Sequence, residues 1–385
     1  MPLTSSVGRL RSIDCLRGAA ALAVAFAHSM GLTNYERIGG ELFKRTVHEV
    51  TTFGATGVPL FFVISGFCIH LGYARTAAAT GSGEFRFGAF WRRRFWRLYP
   101  VYFLVLCGCL GGLAALYIAG SHSLLLEPYP DPKLKWMGLD FLSHAFMAHG
   151  LTRRFDLMGG NFPFWTLARE EYLYLLYPLI LIASLRIRRV WIAVAMVALT
   201  AILNNTAVPY VLNERSAPAL WIQWYLGAVA ADAYCGRVRL PAALRTLWLV
   251  PIWMLAASYT YSRNLHTWST LGWGMAYFTL VNACVQIEQQ GRWPAGGVLG
   301  ALSAIGVFSY SLYLLHYPSE TALLSLSLRL GTPVTPMMFV LRSVALTTGA
   351  CAAGFVLFRL VERRFVTAAR LPRSRPVLTL GTVAS

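Results

Sequence analysis

The sequence predicts an all-α fold, a polytopic membrane bundle of ten transmembrane helices with both termini in the cytoplasm. Hydrophobic residues make up 56% of the 385 positions and charged residues only 13%, whereas a soluble globular chain carries about 25% charged residues. Apolar stretches close to the ~20 residues that cross a bilayer recur along the whole chain. This composition excludes a soluble enzyme, a disordered chain and a coiled coil.

The predicted spans follow one another through most of the chain. They cover 13–33, 56–74, 98–119, 163–184, 190–206, 218–234, 246–262, 267–287, 299–324 and 336–360. A further apolar piece, 136–149, is short for a span and carries Asp140, His144 and His149. We therefore place this piece in a long outer loop, where it lies at the interface or re-enters the membrane.

The positions of the Lys and Arg residues set the predicted direction of the spans, because cytoplasmic loops carry an excess of these residues. If 136–149 does not cross, 22 of them fall on the inner side and 10 on the outer side, and Arg169 and Arg342 lie within spans. If it did cross, the RIRR at 186–189 would face outwards. Topology therefore accounts for the net charge of +18, and we expect no nucleic-acid partner.

We expect one transmembrane domain, residues 1–365, followed by a short basic cytoplasmic tail, 366–385. The N-terminal apolar run lacks a clear small-residue cleavage site, which favours a retained first helix over a signal peptide. Most of the seven cysteines lie in or beside apolar stretches, and none forms a CxxC pair. We therefore expect no structural disulfide and no metal site.

Two ionisable residues in the first span are functional candidates, because such groups are costly inside a membrane. Arg17 and His28 stand eleven residues apart, close to three helical turns, so they share a face at about 16 Å along the axis. Arg17 alone could be an anchor that reaches the inner interface. His28 has no comparable explanation, and a neutral imidazole can act as a general base near neutral pH.

An arginine-rich and aromatic stretch, FWRRRFWRLYP, leads into the third span. In part it serves as a topology anchor with an aromatic belt. Arg94 and Arg97 are three residues apart and share a helix face, and paired guanidinium groups suit phosphate or pyrophosphate. The functional interpretation is a phosphorylated cytoplasmic ligand.

Further polar residues fall within the second, fourth and ninth spans. Glu170 and Glu171 stand together near the outer mouth of the fourth, and an ion pair with the adjacent arginine is the simpler explanation. Glu170 could instead orient an imidazole or bind a substrate hydroxyl. His316 falls in the outer half of the ninth span, level with His28 and Glu170. For Ser65 in the second span, the adjacent glycine favours a packing contact.

In this order, six segments resemble the membrane-bound acyltransferase-3 family. They are IDCLRGAAALAVAFAH, GVPLFFVISGFCI, FWRRRFWRLYP, FWTLAREEYLYLLYPL, SYSLYLLHYP and LVERRF, spread between residues 13 and 365. The resemblance implies ten core spans, a multi-pass location in the bacterial inner membrane and a cytoplasmic acyl-CoA donor, usually acetyl-CoA. It also implies acylation of hydroxyls on cell-envelope or exported carbohydrates, less often on small molecules such as macrolides.

The resemblance assigns roles to the residues that match the family's motifs. The implied catalytic residues are His28, Glu170 and His316; those for CoA are Arg17, Arg94 and Arg97; those for the acceptor are Trp165 and Tyr313. Thr166 stands where the family usually has Ser. Arg364 replaces the Pro of the closing E-R-P pattern, which affects the expected helix end alone.

The resemblance leaves alternatives open. Some relatives carry a C-terminal hydrolase-like domain of the SGNH type, and this sequence has none, so we expect that the protein completes transfer alone or passes the acyl group to a separate extracytoplasmic transferase. Membrane lipid and a carbohydrate acceptor are the other expected partners, and loops 34–55 and 120–162 are expected to read the acceptor. The rival class is a transporter or flippase of a glycan or lipid-linked precursor. Transporters more often show repeats with broken helices, and the sequence indicates none.

Overall fold

The computed structural model describes residues 9–33, 35–81, 85–118, 134–151, 160–205, 216–329 and 335–370. Within these ranges the chain forms helices and connecting turns and contains no β-strand. The predicted all-α fold is confirmed. Most of the tail predicted at 366–385 lies outside the described residues, as do 120–133 and 152–159 of the predicted acceptor loop.

Fourteen α-helices follow one another along the described chain. They are α1 Arg11–Gly31, α2 Glu41–Ala55, α3 Gly57–Thr80, α4 Phe87–Ile118, α5 Leu134–Ala145, α6 Phe164–Arg186, α7 Arg189–Asn205, α8 Ala217–Tyr234, α9 Leu249–Ser262, α10 His266–Gln289, α11 Gly297–Val307, α12 Ser309–Arg329, α13 Pro336–Leu357 and α14 Arg363–Arg370. A π-helical turn, Phe358–Glu362, joins the last two. Each predicted span coincides with a helix or, in one case, with two.

Several of these helices are long and apolar enough to cross a membrane. By length and composition, four helical segments of the described chain qualify: Arg11–Gly31, Glu41–Thr80, Phe87–Ala115 and Pro336–Val366. The bent pair α11 and α12 makes a fifth if it counts as one span. The number of ten spans and the cytoplasmic termini stay predictions.

The ninth predicted span, 299–324, is wrong as a single helix. α11 and α12 meet at an angle of 82°, so the expectation of no broken helix also fails. Two hydrogen bonds stabilise this turn. The Phe308 amide donates to the Ile305 carbonyl, and the Ser309 hydroxyl donates to the Gly306 carbonyl at 3.0 Å. Gly306 itself packs against the backbone of Asp14 on α1, where a Cβ would lie 1.8 Å from the carbonyl oxygen.

The stretch 34–55 also differs from the predicted loop, because most of it is the amphipathic helix α2. The other disputed piece, 136–149, forms α5 and the turn after it. Tyr102 and Tyr99 on α4 donate to the carbonyls of His144 and Ala145 at 2.9 and 2.7 Å. Tyr172 on α6 donates to the Met147 carbonyl at 2.5 Å. The piece is thus attached by hydrogen bonds to α4 and α6; its depth in the membrane stays a prediction.

A pair of glycines brings α3 and α8 into backbone contact. A Cβ on Gly66 would lie 1.9 Å from the Trp224 carbonyl oxygen, and one on Gly227 would lie 1.9 Å from the Val63 carbonyl oxygen. Small residues allow this close approach between membrane helices. The predicted glycine-mediated packing of the second span is confirmed at Gly66.

The substitution Gly66→Ala should lower the free energy of unfolding by about 1–3 kcal/mol, because the added methyl group forces two backbones apart. The matched control is Gly72→Ala on the same helix, where a Cβ meets nothing within 4 Å. Denaturation in detergent micelles measures both. Equal stability of the two variants would contradict the close contact.

Candidate active site

Five helices enclose a cavity of about 110 Å³. They are α1, α3, α4, α6 and α12. Its polar lining residues are Arg17, Ser65, Arg94, Arg97, Thr166, Glu170, Tyr174, Ser309, Tyr310 and Tyr313. Five of the eight predicted site residues therefore meet at one cavity, although they come from widely separated parts of the chain.

The three predicted CoA-binding arginines line this cavity together. The Arg94 guanidinium lies 5.7 Å from the ring centroid of Tyr174, a cation–π contact that fixes its place. Arg97 lies within electrostatic range of both Arg94 and Arg17. Three cations beside a largely enclosed space repel one another, so an anionic ligand would stabilise the arrangement.

Glu362, from the closing LVERRF segment, lies near the same arginines. It is 3% exposed and is within electrostatic range of Arg17 and Arg97. Its carboxylate accepts hydrogen bonds from the amide and the hydroxyl of Ser311, at 3.2 and 2.5 Å. Glu362 therefore supplies part of the countercharge and joins the end of the chain to the site. No role was predicted for it, and its distance in sequence from the other residues conceals this contact.

The Glu170 carboxylate is bound by hydroxyl groups. Its Oε1 accepts from the Ser65 hydroxyl at 2.7 Å and from the Tyr174 hydroxyl. The Trp224 indole donates to the same Ser65 oxygen at 3.3 Å. The partner of His28 is a second imidazole, so the geometry does not support the predicted role of Glu170 in orienting His28. Ser65 is a site residue that the packing prediction missed.

His28 and His316 form a hydrogen-bonded pair although 288 positions separate them. His28 Nδ1 lies 3.0 Å from His316 Nε2, and His316 Nδ1 lies 2.8 Å from the carbonyl oxygen of Tyr313. A carbonyl oxygen only accepts, so the hydrogen of neutral His316 is on Nδ1 and its Nε2 is an acceptor. His28 then donates from Nδ1. Of the two imidazoles, His28 is consequently the one with a free lone pair, on its Nε2.

Access to the pair is one-sided. His316 is 1% exposed, whereas His28 is partly exposed between two aromatic rings. The centroids of Tyr317 and Phe162 lie 5.5 and 6.2 Å from that of His28, both edge-on. Of the two imidazoles, His28 is thus the one that a substrate can reach.

Tyr313 contacts both the cavity and the histidine pair. Its ring lines the cavity and lies 5.5 Å from the ring of His316. Its hydroxyl is 2.6 Å from Thr166 Oγ1.

Neither His28 nor His316 lines the cavity, and half-buried Trp165 does not line it either. The acceptor-binding role of Trp165 stays a prediction. Within the described chain, no group of three or more His, Cys, Asp or Glu residues is placed to hold a metal ion.

Comparison with known proteins decides the family. The model of a family described as an acyltransferase domain matches residues 10–359, nearly the whole chain. The chain belongs to the acyltransferase-3 family. Family membership makes the protein an acyltransferase, and it places the arginine-lined cavity and the histidine pair within the family's domain.

Relatives of this acyltransferase occur in several bacteria. It is 27% identical over 338 residues to "Acyltransferase MdmB" of Streptomyces mycarofaciens, an alignment that covers 81% of this chain and 79% of the relative. It is 25% identical over 337 residues to "Nodulation protein 10" of Rhizobium leguminosarum bv. viciae, covering 81% and 83%. An uncharacterised protein of Haemophilus influenzae is 33% identical over 129 residues, 32% of this chain and 48% of its own length. No solved structure matches the chain significantly.

Proposed function

We propose that the protein is an integral membrane O-acyltransferase of the bacterial inner membrane. It moves an acyl group, most readily acetyl, from cytoplasmic acyl-CoA to a hydroxyl of an extracytoplasmic or lipid-linked carbohydrate such as an exopolysaccharide, an O-antigen or a similar glycan. The observation that carries the proposal is the pairing of a three-arginine cavity with an imidazole whose Nε2 lone pair is free. The arginine-lined cavity suits an anionic donor, and the imidazole suits an acceptor hydroxyl.

The donor site follows from the arginines. Arg94 and Arg97 bind the phosphates of CoA together with Arg17, since guanidinium forks match phosphate oxygens in geometry and charge. The pantetheine arm then extends along the cavity, and the thioester ends near Tyr313. Acetyl-CoA is a co-substrate in this scheme, and the chemistry requires no metal.

The chemical step uses His28. Its Nε2 removes the proton from the acceptor hydroxyl as the oxygen attacks the thioester carbonyl; the carbon–sulfur bond breaks, and the proton leaves with the CoA thiolate. Such a general base contributes about 10²–10⁴-fold to the rate. The same lone pair could instead take the acyl group and pass it on. His316 holds the tautomer, and Glu170 with Ser65 lines the donor path.

The bend between α11 and α12 favours a transporter, because broken helices form the binding sites of many transporters. In this protein the bend directs Ser309, Tyr310 and Tyr313 at the start of α12 into the cavity wall. A transporter would move glycan without consuming acyl-CoA. An acyltransferase releases one CoA for each group transferred.

The substitution Arg97→Gln tests the donor site. Loss of a charge-assisted contact to phosphate costs about 1.5–3 kcal/mol, so KM for acetyl-CoA should rise roughly tenfold or more. Arg97→Lys keeps the positive charge but not the forked guanidinium group, so its KM for acetyl-CoA should lie between those of the wild type and Arg97→Gln. Arg93→Gln is the matched control, because Arg93 is exposed and does not line the cavity. An unchanged KM in both Arg97 variants would refute this donor site.

A further inference from the structure

Tyr313 closes one end of the donor cavity with a side chain held in place by hydrogen bonds. The Thr166 hydroxyl lies 2.9 Å from the Pro163 carbonyl and donates its hydrogen there. The Tyr313 hydroxyl, 2.6 Å from Thr166 Oγ1, must therefore be the donor to that oxygen. The two hydroxyls form a directed chain from α12 to the start of α6.

Phe61 of α3 completes this end of the cavity. Its ring meets the ring of Tyr313 edge-on with centroids 5.5 Å apart, and both residues line the cavity. Tyr313 is 8% exposed and Thr166 6%, so the wall is part of the packed interior. A bulky group cannot displace it without breaking the Tyr313–Thr166 hydrogen bond and the aromatic contact.

The position of the wall relative to the other groups determines what touches it. The arginines supply the positive charge of the cavity, and the histidine pair adjoins Tyr313, whose carbonyl binds His316 and whose ring lies 5.5 Å from that of His316. A donor bound through its phosphates thus presents its acyl end to Tyr313 and Phe61.

We propose that Tyr313, Phe61 and Thr166 determine which acyl group the enzyme transfers and restrict it to short acyl chains, with acetyl preferred. This inference rests on the proposed function and adds the selectivity for the donor. An apolar pocket discriminates one methylene by about 10–200-fold in kcat/KM. Tyr313 therefore limits the acyl chain with its ring and sets the His316 tautomer with its backbone carbonyl.

The test compares kcat/KM for acetyl-, propionyl-, butyryl- and hexanoyl-CoA in the full-length protein in membranes. The wild type should lose at least about tenfold between acetyl- and butyryl-CoA. Phe61→Ala and Tyr313→Ala should reduce this ratio by about tenfold, because each opens the end of the cavity. Tyr313→Phe keeps the ring but loses the hydrogen bond to Thr166, so its ratio should fall between those of the wild type and Tyr313→Ala. Phe103→Ala, on the exposed face of α4, should keep the wild-type ratio.

A ratio within one variant does not depend on how much of that variant folds, so a partly unstable variant still reports selectivity. Phe61→Ala and Tyr313→Ala with the wild-type ratio of acetyl to butyryl transfer would overturn the proposal, as would a wild type that transfers hexanoyl as well as acetyl. Absence of transfer from every acyl-CoA by the wild type would instead refute the proposed function.

Discussion

Replacing His28 by Ala should reduce acyl transfer by about 10²–10⁴-fold, the usual contribution of a general base. The free lone pair of the histidine pair is on His28 Nε2, and His28 is the partly exposed member. KM for acetyl-CoA should stay unchanged, because the arginines that bind the donor line the cavity and His28 is not among its lining residues. The measurement is the initial rate of acceptor-dependent CoA release, with protein quantified in the membrane.

A matched control for this variant is His266→Ala, since His266 is exposed at the start of α10 and lies outside both the cavity and the predicted acceptor loops. It should transfer at the wild-type rate. Near wild-type transfer by His28→Ala would eliminate His28 both as base and as acyl carrier, and the function would then need another group for proton removal.

Replacing His316 should reveal the tautomer relay. His316→Leu removes the acceptor of the His28 Nδ1 hydrogen, so the ring is free to protonate at Nε2 and lose its base. We expect kcat to fall by about 10²-fold with KM for acetyl-CoA unchanged. His316→Gln retains an amide oxygen that can accept the same hydrogen, and it should recover part of the lost kcat.

The pattern across the two variants separates positioning from a merely structural role. A structural role predicts equal losses in His316→Gln and His316→Leu, together with lower stability, and that result would contradict the relay. A rise in KM for acetyl-CoA with unchanged kcat would also contradict it, because it would place His316 in the donor site.

Much of the site could be predicted from local patterns. The spacing of Arg17 and His28 on one helix, and of Arg94 and Arg97 on another, follows from helical periodicity, and the structure brings all three arginines to one cavity. The hydrogen bond between His28 and His316 could not be predicted, because the two residues are 288 positions apart. The tautomer depends on a backbone carbonyl, which no side-chain pattern encodes.

The break in the ninth predicted span was missed for a physical reason. Hydropathy is continuous through Phe308, and the residue that usually signals a break is Pro318, ten positions later. Pro318 lies inside α12; a proline leaves the carbonyl four residues earlier without its helical partner. Asn161 donates to that carbonyl, on Leu314, at 3.2 Å, so tertiary contacts stabilise the helix at Pro318. The actual break occurs where Gly306 packs on α1.

The contact of Glu170 with Ser65 is another feature that sequence patterns could not predict. Periodicity places each residue on its helix, but the rotation of α3 against α6 decides that the carboxylate receives hydroxyl groups. The close packing of α3 on α8 at Gly66 sets where α3 lies. The glycine was visible in the sequence, whereas the partner of its neighbouring serine was not.

The most direct test of acyl transfer by His28 is the movement of a labelled acetyl group from acetyl-CoA in inverted membrane vesicles. These vesicles expose the cytoplasmic face, and wild-type protein is compared with His28→Ala at equal abundance. We expect label in the carbohydrate or lipid-linked fraction with the wild type and at least about a hundredfold less with the variant. Equal labelling by both proteins, or glycan movement without release of CoA, would contradict it.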